Sequence, residues 1–119
     1  MGDRANIVLN YGDNYDRIYL YTHWKGYKIE QILKQALIKG KSRWDDVPYF
    51  SRVIFCELIG LDEFNEITGF GLTPYITDGD DRILEIDLEN KRVMPVDKDI
   101  WLSYEEFILK AREDLDKED

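Results

Sequence analysis

Chemistry-bearing side chains gather in three short stretches: Gly2-Asp3-Arg4-Ala5-Asn6, Tyr21-Thr22-His23-Trp24 with Gly26 just beyond, and Arg43-Trp44-Asp45-Asp46. Each places charged, aromatic or hydrogen-bonding groups where a plain turn would need none. Indole rings at Trp24 and Trp44 can stack on a planar ligand. Guanidinium groups at Arg4, Arg43 and Arg52 can grip phosphate or carboxylate through paired N–H donors. Asp3, Asn6, Thr22 and His23 add hydrogen-bonding groups, and Asp45 and Asp46 add carboxylates. This set suits a nucleotide-like small molecule better than a sugar or a lipid.

The same residues allow two other readings. His23 with Asp3, Asp45 or Asp46 would make a general acid–base pair for hydrolysis. Against that, the chain has no Ser-centred elbow, no P-loop and no second histidine, and no spacing in it demands a metal or a cofactor. The plainest reading is structural: Arg–Asp pairs and a Trp plug close the hairpin, and Asp46 caps a helix.

Composition narrows the classes. At 119 residues, 44% hydrophobic and 34% charged, the chain has the make-up of a single globular domain. Cys56 is the sole cysteine, which excludes an internal disulfide, and its run Val53-Ile54-Phe55-Cys56 reads as core with an inert thiol. The net charge of −9 argues against direct binding of nucleic acid. Nine acids against four bases between residues 97 and 119 supply −5 of it, so the acidity is concentrated at the C-terminal end. No apolar stretch approaches the roughly 18 residues that cross a bilayer. The start Met1-Gly2-Asp3-Arg4 lacks a signal core, and Asn6 stands where myristoylation wants Ser or Thr. The expected location is the cytoplasm.

The elements that must position these groups follow from periodicity. Residues 5–11 and 17–23 read as strands joined by Gly12-Asp13-Asn14, a hairpin that brings Asp3, Arg4 and Asn6 near Thr22, His23 and Trp24. Ile18, Leu20 and Thr22 share one face and Tyr19, Tyr21 and His23 the other, as expected of a strand that is central or covered on both sides. Residues 28–39 carry a helical apolar stripe, Ile29, Ile32, Leu33, Ala36 and Leu37, with Lys28, Glu30, Lys34 and Lys39 outward and Gly40 as the stop. A second helix is expected over residues 47–59, capped by Asp45 or Asp46, with Pro48 in its first turn and Gly60 at its end. Asp62 to Ile67 reads as a short helix or a loop. Thr68 to Leu72 begins a second group of strands, followed by residues 82–88 and by Arg92 to Val96, the latter an edge strand if Pro95 belongs to it. Ser103 and Glu106 have capping-box spacing for a last helix whose stripe is Phe107, Ile108, Ala111 and Leu115. The order ββ-αα-βββ-α predicts an α+β domain, with helices packed on a mostly antiparallel sheet.

Met1-Gly2-Asp3-Arg4-Ala5-Asn6-Ile7, Tyr19-Leu20-Tyr21-Thr22-His23-Trp24, Arg43-Trp44-Asp45-Asp46, Ile54-Phe55-Cys56-Glu57 and Thr68-Gly69-Phe70-Gly71-Leu72 together resemble a family of small, uncharacterised proteins of bacteria and their phages. The resemblance covers Met1 to about Val96, so residues 97–119 look like an addition to a shared body. It implies a cytosolic protein of phage or mobile-element type and carries no reaction with it. Three functional expectations follow. The first is a non-enzymatic anti-defence factor that sequesters a nucleotide-like signal. The second is an acidic inhibitor, anti-CRISPR-like, that occupies a basic or nucleic-acid-binding surface of a host defence protein through its C-terminal helix. The third is a small hydrolase built on His23. A homodimer through residues 93–96 or the Tyr-rich face of the second strand is compatible with all three.

Overall fold

Alternation along β1 (Ala5–Asn10) sends Ala5, Ile7 and Leu9 to one side of a sheet and Asn6, Val8 and Asn10 to the other, and all six residues are buried. The computed structural model describes residues 4–12, 17–23, 28–60, 70–74, 82–96 and 98–110. β1 pairs antiparallel with β2 (Arg17–Thr22) in the register Ala5↔Thr22 to Asn10↔Arg17, which is the expected hairpin. Asp13 and Asn14 of its turn lie outside the described residues.

The sheet has six strands in the order β3-β2-β1-β4-β5-β6. The further strands are β3 (Phe70–Thr73), β4 (Ile83–Asp87), β5 (Arg92–Met94) and β6 (Leu102–Ser103). Four of the five pairings are antiparallel; β1 with β4 is the parallel one. Together with the helices this is the expected α+β fold. The strand covered on both sides is β1, not β2, on which Arg17 and Ile18 are exposed. Against β2, Gly71 has a defined job. A Cβ there would fall 2.6 Å from Tyr21 Cζ, so the tyrosine ring lies where a side chain would stand.

Ile7, Leu9, Leu20, Leu84, Ile86 and Val93 meet the helices in one core. α1 (Ile29–Lys39) buries the expected stripe, but two of its charged residues do not point out. Lys34 is buried along most of its length. Glu30 accepts the Val96 N–H at 2.8 Å and approaches Lys110 Nζ at 3.6 Å. Gly40 ends α1 without a left-handed backbone (φ −97°). Its glycine is required by space, since a Cβ would meet the Phe50 ring at 2.7 Å.

α2 (Val47–Ile59) begins at Asp46, carries Pro48 in its first turn and stops at Gly60, as its sequence prescribes. Phe50, Ile54 and Leu58 are fully buried. Cys56 is exposed, contrary to the expected core thiol: it stands two positions from both Ile54 and Leu58, about 200° round the helix from each.

The end of the chain departs most from expectation. Pro95 lies outside β5, and β5 is not an edge because β6 pairs beyond it, Arg92↔Ser103 and Val93↔Leu102. β6 leads into α3, described over residues 104–110. Both arms of the capping box form: Ser103 N–H donates to Glu106 at 2.8 Å and Glu106 N–H to Ser103 Oγ at 3.1 Å. Tyr104 and Phe107 enter the core at 1% and 0% exposure. The segment after residue 97 therefore supplies a strand and core residues, while Ala111, Leu115 and the terminal acids lie outside the described residues. So do Asp62 to Ile67. Among the described residues, no helix is long and apolar enough to cross a membrane.

Candidate functional site

At the open end of the hairpin the register brings Arg4 beside His23, next to the pair Ala5↔Thr22. Arg4 is exposed. His23 is half-buried and stacks on Tyr21, with ring centroids 5.3 Å apart and planes at 28°. Asn6 and Thr22 are fully buried within the sheet, so they support the strand pair and present no surface to a ligand. Asp3 and Trp24, also candidates from the sequence, lie outside the described residues.

The Arg43-Trp44-Asp45-Asp46 turn joins α1 to α2. Trp44 Nε1 donates to the Leu37 carbonyl at 3.0 Å, satisfying one of the acceptors left over at the end of α1. Its ring meets Tyr104 edge-on at 4.9 Å and 77°. Asp45 pairs with Lys91 Nζ at 2.8 Å, and Asp46 caps α2 by accepting Tyr49 N–H at 3.4 Å. Asp46 thus carries the capping role that the plainest reading of the sequence assigns it, whereas Trp44 ties down the end of α1 and does not close the hairpin. Burial, with the charge of Asp87 adding to it, pushes the Tyr104 hydroxyl well above the ordinary tyrosine range, and among the described residues its Oη has no hydrogen-bond partner.

The described residues of the two groups lie apart. Asp45 is anchored to Lys91, next to Arg92, and Arg92 pairs through Asp87 with Asn10 at the C-terminal end of β1. The bond between Tyr11 Oη and Ser51 Oγ, 2.8 Å, fixes the start of α2 at that same end. Arg4 and His23 sit at the other end of β1, about 16 Å of strand away. Among the described residues, the hairpin opening and the mouth of α2 thus stand at opposite ends of β1. A His23 pair with Asp45 or Asp46 fails for the same reason.

What the structure does bring together is Arg43 and Arg52. Their Cζ atoms lie 4.6 and 4.8 Å from the centroid of one ring, that of Tyr49, which is 40% exposed. Both arginines are exposed, and among the described residues neither forms an ion pair. Four other cations are ion-paired: Lys39 with Glu57, Lys91 with Asp45, Lys110 with Glu30, and Arg92 with Asp87 while it covers Trp101. In a chain with 25 acids and 16 bases, two exposed guanidiniums gathered on one ring present N–H donors that can pair with an anion. Lys41 is exposed in the 3-10 turn (Lys41–Arg43) that carries Arg43. Cys56 completes the row on α2, its Sγ 3.6 Å from Arg52 Nη1.

Tyr49 is the residue that the sequence reading passed over. Its i, i+3 spacing to Arg52 was visible, but the approach of Arg43 from the preceding turn was not. Among the described residues no group of three His, Cys, Asp or Glu side chains is placed to hold a metal ion. No family model matches the chain, and neither the curated proteins nor the solved structures contain a match to it.

Proposed function

We propose that this is a non-enzymatic binding protein of the cytoplasm that captures a small, phosphate-bearing, nucleotide-like ligand, with Arg43 and Arg52 as its anion grip. The observation that carries this reading is the convergence of two unneutralised guanidiniums on the exposed Tyr49 ring. Cation–π contact holds each side chain in place before a ligand arrives, which lowers the ordering cost of binding. The resemblance to small phage and bacterial proteins supports the biological setting: a mobile-element anti-defence factor that sequesters a signalling nucleotide.

Mass spectrometry of small molecules released on denaturing the purified protein tests this, followed by thermal unfolding with each candidate nucleotide. A ligand at a hundred times its Kd should raise the Tm by on the order of 10 °C, and Arg43→Ala or Arg52→Ala should remove that rise. If no nucleotide stabilises the protein, the reading is wrong. A ligand recovered chemically altered after long incubation would make the protein an enzyme. Binding of a host defence protein that survives both arginine substitutions would favour the acidic-inhibitor reading.

A further inference from the structure

We propose that Tyr49 is a positioning residue that selects ligands with two anionic groups, one for each guanidinium, over ligands with one. This rests on the anion-site reading above and specifies what the site takes. Arg43 and Arg52 come from different elements, the 3-10 turn and the middle of α2, and would repel each other if left to find their own rotamers. The Tyr49 ring gives both a shared surface, and the two distances to its centroid keep the charges within 9.4 Å of each other. A lone anion satisfies one guanidinium fully and leaves the second charge unmatched. A ligand with two phosphoryl groups matches both, each through charge-assisted donors on a planar fork. The phenol itself is dispensable for this, because the ring face makes the contact.

Pyrophosphate and inorganic phosphate are the probes, with affinities taken by calorimetry on the full chain. We expect the wild type to bind pyrophosphate at least about tenfold more tightly than phosphate, the scale of one added charge-assisted contact. Tyr49→Phe should keep that ratio. Tyr49→Ala should reduce it to within about threefold while changing the Tm little, since the side chain is largely outside the core. Equal affinity for the two probes in the wild type, or an unchanged ratio in Tyr49→Ala, would overturn the selectivity and leave the anion site standing. Absence of binding by both probes and by every nucleotide would overturn the site itself, and the selectivity with it.

Discussion

Asp87 and Arg92 face each other across the β4–β5 ladder, with Arg92 Nε donating to Asp87 Oδ2 at 2.9 Å. The other oxygen of Asp87 accepts the N–H groups of Glu89 and Asn90 at 3.2 and 3.1 Å, and Asn90 Nδ2 adds a bond to Oδ2 at 2.9 Å. One carboxylate thus closes the whole turn, in which Lys91 takes a left-handed backbone (φ 54°). Burial alone would raise the Asp87 pKa. The bonds from Asn90 and the charge of Arg92 outweigh it and hold the carboxyl below its ordinary value of 3.8. A group depressed in the folded state stabilises above its unfolded value and loses that contribution as pH falls through its folded value. Asp87→Asn should therefore cost about 1–3 kcal/mol at pH 7, and the gap to wild type should close below about pH 4. Urea midpoints at pH 7, 5 and 3 check this; a gap independent of pH would refute it.

Trp44 separates a structural role from a ligand-stacking one. Trp44→Phe keeps most of the edge contact to Tyr104 but loses the bond to the Leu37 carbonyl, which should cost about 1 kcal/mol. Trp44→Ala should cost about 3 kcal/mol or more. Ligand affinity should be unchanged in the Phe variant once binding is measured well below its Tm. A Phe variant that is as stable as wild type but cannot bind would make the ring a contact surface after all.

Helix α2 and the start of α3 were legible because their signals are local. Asp46, Pro48 and Gly60 punctuate a single segment, and Ser103 and Glu106 sit three residues apart. Cys56 could have been placed correctly from helical period alone, but its apolar neighbours Val53 to Phe55 masked the phase. β6 was not legible: two residues, Leu102–Ser103, carry no periodicity, and their strand state comes from pairing with β5. The separation of the two candidate clusters was beyond sequence reading for a deeper reason. It depends on the parallel pairing of β1 with β4, contacts such as Asn10↔Asp87 that no local pattern encodes.

The C-terminal segment gives a sharp test of integration. Ending the chain after Asp99 removes β6, Tyr104 and Phe107, and burial of Phe107 alone is worth about 3–5 kcal/mol. That truncation should leave the protein unfolded by circular dichroism, so loss of any activity in it would say nothing about an acidic contact surface. Charge reversal at Glu105, exposed on α3, leaves the core intact and is the proper probe of that surface. A truncated chain with a wild-type unfolding transition would show that these residues are an accessory after all.

Cys56 reports on the arginine site without touching the fold. Its thiol is exposed, on the same row of α2 as Tyr49 and Arg52, with Sγ 3.6 Å from Arg52 Nη1. We expect one thiol per chain to react completely with a disulfide reagent in native buffer, and pyrophosphate bound across Arg43 and Arg52 to slow that reaction. Arg52→Ala should abolish the protection. Reaction that begins only in denaturant would mean the thiol is covered in solution, and protection that persists in Arg52→Ala would place the anion elsewhere.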